Sequence, residues 1–157
     1  MIAIGFDVEI TGMIGKRALN QMRREAMKRT GAYWQQKQLP KHFQPGAARR
    51  YRFKKRSTAY QERKRRRGER RPLVFTGHLK NLMTRRQIVM AYPTRATINI
   101  PGPSYLSMRP KSGNRPNLGE EVTRVDKKDE DKLTEIHDQE LQKLINNYKP
   151  RKRKKVK

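Results

Sequence analysis

Large apolar residues alternate with other residues at the beginning of the chain. Every second position from Ile2 to Ile10 is apolar, and Asp7 and Glu9 lie among the residues between them. A period of two residues is typical of a strand that is buried on one face only. The pattern therefore predicts a β-strand over residues 2–10.

A helical period follows between residues 13 and 37. This range contains no proline, and its apolar residues form one face opposite a side rich in arginine and lysine. We expect one long amphipathic helix. Pro40 is expected to end it, because the residue before a proline avoids helical geometry. The apolar face comprises Ala18, Leu19, Met22, Ala26, Met27, Tyr33 and Trp34.

The clearest helical pattern lies between Asp126 and Asn147, where apolar residues recur at three- and four-residue intervals. Asp126, with Asp129 three residues later, resembles a capping box in which Asp replaces Glu. Pro150 is expected to stop the helix. The acids of residues 129–140 fall opposite the apolar stripe and predict a solvated face. The stripe comprises Leu133, Ile136, His137, Leu141, Leu144, Ile145 and Tyr148, with His137 at its edge.

Strand signals occupy the middle of the chain. Residues 86–92 and 94–100 predict two antiparallel strands joined tightly around Pro93-Thr94. Residues 101–119 are rich in Pro, Gly, Ser and Asn and predict a loop. Glu121–Val125 is expected to add another short strand.

A compact apolar segment, Leu73–Phe75, precedes the hairpin. Thr76 is expected to cap a short helix that runs through Leu79, Leu82 and Met83. This segment is a folded element predicted directly after the most basic part of the chain.

These elements together predict an α+β fold. A small antiparallel sheet is packed by a long N-terminal helix and a C-terminal helix. We expect one domain over residues 1–148, which includes a basic extended arm over residues 41–71 because that range lacks a clear period. A short helix is expected near residues 57–66. Residues 149–157 are expected to form a disordered basic tail.

Composition limits the size of the core and points to an anionic partner. The 157 residues are 33% hydrophobic, below the usual share of about 45–50%. The net charge of +26 would destabilise an isolated compact monomer by self-repulsion. The chain has no cysteine, which excludes disulfides and thiolate chemistry. No apolar run approaches the roughly 20 residues that span a bilayer.

The charge is divided unevenly along the chain. Residues 48–71 hold 13 basic residues against two acids, and residues 120–140 hold nine of the 14 acids. One end of the domain is expected to attract what the other repels; alternatively, the acidic stretch of one copy meets the basic stretch of another. The candidate contacts with DNA, another polyanion or an acidic neighbour are Arg49, Arg50, Arg52, Lys54, Lys55, Arg56, Arg63, Lys64, Arg65, Arg66, Arg67, Arg70, Arg71, Arg151, Lys152 and Arg153.

Two interpretations of the basic arm stay open. The planar fork of arginine suits bidentate contact with phosphate, and Tyr51, Phe53 and Tyr60 are interleaved so that they could stack on bases. Alternatively, the arm is a solvated loop whose aromatic residues pack on their own domain. The chain shows no sequence-reading motif, so any nucleic-acid contact is expected at backbone phosphates and to depend steeply on salt. The tail resembles a nuclear-localisation signal, but the sequence favours a simple polyanion-binding or charge-neutralising tail.

Catalytic and metal chemistry find little support. His42, His78 and His137 lie far apart, and no glycine-rich phosphate loop is present. We expect no enzymatic activity, no cofactor, no metal, no small-molecule substrate and no membrane association.

The order of these elements resembles the head–tail connection proteins of bacteriophages, the tail-completion or virion-morphogenesis group of neck proteins. The resemblance covers about residues 6–147 and centres on an L-x-x-T-G-x-L element, formed here by Leu73, Thr76, Gly77 and Leu79. Phe75 stands where an Asp commonly precedes the Thr-Gly pair. The arm contributes Tyr51, Arg56-Ser57-Thr58, Tyr60 and Lys64, and the distal part contributes Glu121–Val125 and Asp126–Asn147.

This resemblance implies a structural role in the virion. Such proteins form homo-oligomeric rings at the head–tail junction, contact portal or tail proteins, and surround the channel through which DNA passes. The implied location is the virion neck, reached from the host cytoplasm during assembly. The alternative function is a free nucleic-acid-binding protein of ribosomal or genome-packaging type that makes non-specific phosphate contacts.

Overall fold

The computed structural model describes residues 14–73, 77–85, 87–99 and 116–149. Within these ranges the chain adopts the predicted α+β fold, with six α-helices and one two-stranded antiparallel sheet. None of the described helices is long and apolar enough to cross a membrane. The elements are α1 (Lys16–Tyr33), α2 (Ala47–Arg50), α3 (Thr58–Arg66), α4 (His78–Thr84), β1 (Val89–Ala91), β2 (Ala96–Ile98), α5 (Leu118–Thr123) and α6 (Lys127–Asn146).

Several predicted segments lie outside the described residues. They are the strand over residues 2–10, most of the loop over residues 101–119, and all but the first residue of the basic tail.

The N-terminal helix continues past Pro40, so the predicted end of that helix is wrong. A π-helical turn at Trp34–Gln38 follows α1 directly, and a 3₁₀ turn follows at Leu39–Phe43. Pro40 lies in the first turn of the 3₁₀ segment, where its missing N–H breaks no helical hydrogen bond. Leu39 and Phe43 therefore belong to a helical segment, and both side chains lie in the core.

Two apolar clusters hold the elements together. In the smaller one, Met22 and Ala26 of α1 meet Leu141 of α6, so the two long helices pack against each other as their apolar stripes predict. The larger cluster joins the end of the N-terminal helical segment to α4, α5 and α6. It consists of Trp34, Leu39, Phe43, Leu73, Leu79, Met83, Val122 and Leu133.

The hairpin is confirmed with the predicted turn. Val89 pairs with Ile98 and Ala91 with Ala96. The turn around Pro93-Thr94 is closed by a hydrogen bond of 2.7 Å from the backbone N–H of Tyr92 to the carbonyl oxygen of Arg95. The short sheet lies on α1.

The segment from residue 118 to 123 is helical, so the predicted strand over Glu121–Val125 is wrong. Asn117 caps α5, because its side chain accepts a hydrogen bond of 3.3 Å from the backbone N–H of Glu120. Glu120 and Glu121 lie in the first turn, where the helix dipole favours negative charge. Local capping and charge thus outweigh the β-propensity of Val122 and Thr123.

The capping residue of α6 is confirmed. The Asp126 carboxylate accepts a hydrogen bond of 2.7 Å from the backbone N–H of Asp129. The side chain of Asp129 is directed to other partners, so the reciprocal half of a capping box is not formed.

The approach of α1 to the sheet requires glycine at position 31. A Cβ atom placed on Gly31 would lie 2.7 Å from Cγ1 of Val89. Gly31→Ala should therefore destabilise the fold, since overpacking costs about 1–3 kcal/mol and exceeds the helix-propensity gain of at most about 1 kcal/mol. Urea denaturation measures the change. The cost should shrink in a Val89→Ala background, where the clashing methyl groups are absent; an unchanged cost would contradict this explanation.

Candidate polyanion-binding site

The first part of the predicted arm is a packed piece of the core. Tyr51 is 1% exposed, and its ring stacks on His42 with a centroid distance of 3.8 Å. Its hydroxyl donates a hydrogen bond of 2.7 Å to Asp129 Oδ2. The ring of Phe53 lies 6.0 Å from that of Tyr51. The prediction of an extended arm is thus wrong around these residues, whose aromatic rings pack on their own domain.

Arg50 links the basic stretch to the beginning of α6. Its Nε donates to Asp126 Oδ2 at 2.5 Å, and its Nη2 donates to Asp129 Oδ1 at 2.7 Å. Asp129 is only 2% exposed, so the prediction that the acids of residues 129–140 are all solvated is wrong for it. Burial of this carboxylate is tolerated because three side chains contact it: Arg50, Tyr51 and, at 3.7 Å, Lys41.

A second internal pair joins the basic stretch to α5. The Arg56 guanidinium forms two hydrogen bonds with the carboxylate of Glu121, one of them 3.1 Å long from Nη1 to Oε1. The same Oε1 accepts a hydrogen bond of 2.8 Å from the backbone N–H of Lys54. Glu121 is 2% exposed. The sequence places Arg50 and Arg56 among the polyanion contacts, whereas the structure pairs both with carboxylates of the same chain.

The turn between Arg50 and Arg56 is held by Arg124, the residue that follows α5. Arg124 Nη1 donates to the carbonyl oxygens of Tyr51 at 3.0 Å and of Arg52 at 2.8 Å. Arg52 has a φ of 52°, a left-handed conformation that needs support in a residue with a side chain. The acidic and basic stretches of one chain are therefore interlocked.

The buried contacts shift the pKa values of the groups involved. Burial raises the pKa of Tyr51, and the hydrogen bond to Asp129 raises it further. Burial acts to raise the pKa of Asp126, but the hydrogen bonds from Arg50 and from the Asp129 backbone outweigh it, and the pKa is lowered. Asp126 thus stays ionised as the partner of Arg50.

The helix α3, predicted near residues 57–66, is confirmed, and it carries no buried residue. Ser57 caps it by accepting a hydrogen bond of 3.4 Å from the backbone N–H of Tyr60. Gln61 Nε2 donates to the carbonyl oxygen of Arg56 at 2.8 Å. Because Arg56 is held by Glu121, α3 projects from a fixed base.

The remaining cations divide by their surroundings. Lys64 Nζ donates to the carbonyl oxygen of Arg71, and burial lowers the pKa of Lys64. Arg71 pairs with Glu69. Among the described residues, Arg63, Arg65, Arg66 and Arg70 form no ion pair. Arg49, Arg52, Lys54, Lys55, Arg63, Arg65, Arg66, Arg67 and Arg70 are exposed, while Arg151, Lys152 and Arg153 lie outside the described residues.

The L-x-x-T-G-x-L element anchors the end of the basic stretch. Leu73 and Leu79 both lie in the larger apolar cluster. Gly77 occupies the N-cap position of α4 with a φ of 83°, a value that favours glycine. The sequence assigns the cap to Thr76, which lies outside the described residues.

Sequence patterns did not reveal the roles of Glu121, Asp129 and His42. Acidic residues at helical spacing give the same sequence pattern whether their side chains face solvent or pair with an arginine of the same chain. For Asp129, the available signal was its place three residues after the capping Asp126. The described residues contain no group of three His, Cys, Asp or Glu side chains that could hold a metal ion.

Replacing Arg56 by Ala should strongly destabilise the protein. Glu121 would stay buried without its guanidinium partner, and loss of one partner of a buried ion pair costs about 3–5 kcal/mol. Urea denaturation gives the free energy of unfolding. Arg66→Ala is the matched control, because an exposed substitution changes stability by at most about 0.5 kcal/mol. Equal stability of the two variants would show that the pair is not structural.

His42 should make the fold sensitive to mild acid. Burial lowers the pKa of His42 below its ordinary value of 6.5, against hydrogen bonds to Arg124 and Leu39 and the charge of Asp129, which raise it. The unfolded chain therefore binds the proton first, and the free energy of unfolding should fall as pH drops below 6.5 toward the folded pKa.

The test is urea denaturation between pH 7.5 and 5.5. His42→Gln should reduce the dependence on pH, whereas His78→Gln, at an exposed position, should keep it. A His42→Gln protein with the wild-type dependence would assign the effect to another group.

Comparison with known proteins identifies no relative of this chain. No protein-family model, curated protein or solved structure matches the chain. Function is therefore inferred from the arrangement of charge in the fold and from the resemblance of the L-x-x-T-G-x-L element.

Proposed function

We propose that this chain is a non-enzymatic structural protein of a bacteriophage neck. In this proposal it forms a homo-oligomeric ring at the head–tail junction, contacts portal or tail proteins, and lines or borders the DNA channel. The observation that carries the proposal is the division of the arginines. Arg50 and Arg56 pair with carboxylates of their own chain, while the arginines of α3 form no such ion pair among the described residues and are exposed on a helix fixed at its base.

The exposed arginines of α3 suit contact with DNA phosphates. Arg63 and Arg66 are three residues apart and therefore neighbours on the helix surface. Each guanidinium can form two parallel hydrogen bonds to a phosphate. Contacts of this kind hold a duplex without reading its sequence, which is the role expected of a channel wall.

The overall charge supports an anionic environment for the assembled protein. The net charge of +26 already counts all 14 acids, and Glu121, Asp126 and Asp129 among them pair with arginines of the same chain. Glu140 pairs with Arg29 at 2.7 Å and joins α6 to α1. The excess cations thus remain on the surface, where packaged DNA or acidic neighbours would reduce their repulsion.

The L-x-x-T-G-x-L element supports the neck assignment in particular. Leu73 and Leu79 are core residues, and Gly77 has the backbone conformation that only glycine adopts without strain. The resemblance therefore rests on residues with a structural reason to be where they are.

The same exposed arginines favour one alternative, a free nucleic-acid-binding protein that uses non-specific phosphate contacts. The two functions differ in assembly. A neck protein forms a ring with its protein partners in the absence of nucleic acid, whereas the alternative binds nucleic acid as a single molecule.

The neck proposal predicts a defect in joining. Deletion of the gene for this chain from the phage genome that encodes it should give tails and filled heads that are unjoined, or heads that have lost DNA. Electron microscopy of the particles measures this. Intact virions from the deletion would overturn the proposal.

Native mass spectrometry of nuclease-treated protein with its portal or tail partners separates the two functions. A closed oligomer without nucleic acid supports the neck assignment. A monomer that oligomerises on no partner but binds DNA would favour the alternative.

A further inference from the structure

A groove lies along one side of α3. Its lining combines apolar and basic residues and does not include Arg63 or Arg66. It is an open groove with a volume of about 760 Å³, lying between α3, the segment before it and the return to Leu73. We call it the α3 groove. Its apolar lining comes from Phe53, Tyr60, Pro72 and Leu73, and its cations are Lys54, Lys55, Arg56, Lys64, Arg65 and Arg70.

The α3 groove is built on fixed contacts. Arg56 is held by Glu121 on one side, and its carbonyl oxygen accepts the hydrogen bond from Gln61 of α3. Lys64 ties α3 to the carbonyl oxygen of Arg71 on the return segment. The walls are therefore in place before any partner arrives, which lowers the entropic cost of binding.

We infer that the α3 groove binds an extended peptide segment of a partner protein, in which a large apolar side chain is flanked by carboxylates. The volume lies within the range of roughly 300–1,000 Å³ typical of binding pockets. The apolar lining matches an apolar side chain. The lining cations Lys55, Arg65 and Arg70 match carboxylates of a ligand. The two acids of the lining are Glu62 and Glu69, and Glu69 already pairs with Arg71.

Nucleic acid fits this groove less well. A duplex presents phosphates on its outer surface and offers no apolar group for the lining. A single strand would stack its bases on open aromatic faces, but Phe53 and Tyr60 are both half-buried, and Phe53 packs against Tyr51. A peptide with an apolar side chain flanked by carboxylates complements both the apolar and the cationic residues of the groove.

Two neighbouring residues of α3 allow this groove to be distinguished experimentally from the proposed DNA contact. Arg65 lines the groove, whereas Arg66 does not. Both are exposed residues of the same helix. Arg65→Glu and Arg66→Glu therefore change the net charge equally, but only the first changes the lining of the groove. The peptide site can thus be tested independently of ring assembly.

The experiment measures fluorescence anisotropy with three labelled probes and the full-length protein. The first probe is a ten-residue peptide of Asp and Glu around a central Leu-Phe pair. The second replaces that pair by two Ser residues at unchanged charge. The third is a ten-nucleotide oligo-dT. Circular dichroism of each variant checks that it is folded.

The apolar peptide should bind about tenfold or more tightly than the Ser peptide, the ratio expected for burial of one large apolar side chain. Arg65→Glu should weaken its binding by about tenfold, as loss of a charge-assisted contact does. Arg66→Glu should leave it within about twofold, as for an exposed residue outside the contact.

Equal binding of the two peptides would overturn the inference, because charge alone would then explain the affinity. Tighter binding of oligo-dT that is lost in Arg65→Glu would also overturn it and assign the groove to single-stranded nucleic acid. A failure of the peptide test leaves the deletion phenotype of the neck proposal unaffected, so the two proposals fail separately.

Discussion

The pairing of two buried carboxylates with two arginines is the interaction on which this fold depends. Glu121 and Asp129 are each 2% exposed and meet Arg56 and Arg50. A charge removed from water is tolerated only when partners compensate its lost hydration. The two pairs therefore clamp the segment that contains Tyr51 onto the beginnings of α5 and α6, and they set the base from which α3 projects.

The same pairing explains how one strongly basic stretch serves both folding and surface recognition. Arginines that reach a buried carboxylate become part of the core boundary. Those on α3 find no acid among the described residues and remain on the surface. Arg63 and Arg66 suit contact with phosphates, while Arg65 lies beside apolar residues in the α3 groove. The function of the chain is thus proposed from which cations the fold leaves unneutralised.

Elements with a strong period were predictable, and elements that depend on distant partners were not. The stripes of α1 and α6 and the hairpin around Pro93-Thr94 follow from local spacing and turn chemistry, and all three are confirmed. The residues near Tyr51 show no period, because the burial of Tyr51 comes from stacking on His42 outside any regular helix and from Asp129, which is 78 residues away. The helix α5 was missed because a cap at Asn117 outweighs the β-propensity of its last residues.

The amino-acid sequence established the α+β class, the two long helices, the excess of positive charge and the absence of cysteine chemistry. These properties follow from composition and from contacts between near neighbours. The tertiary structure decided which arginines pair with carboxylates of the same chain, which acid is buried at α6, and where a groove forms beside α3. Such outcomes require residues about 65–79 positions apart to meet, and the free energy of a buried charge depends on the partner it finds there rather than on its neighbours in the chain.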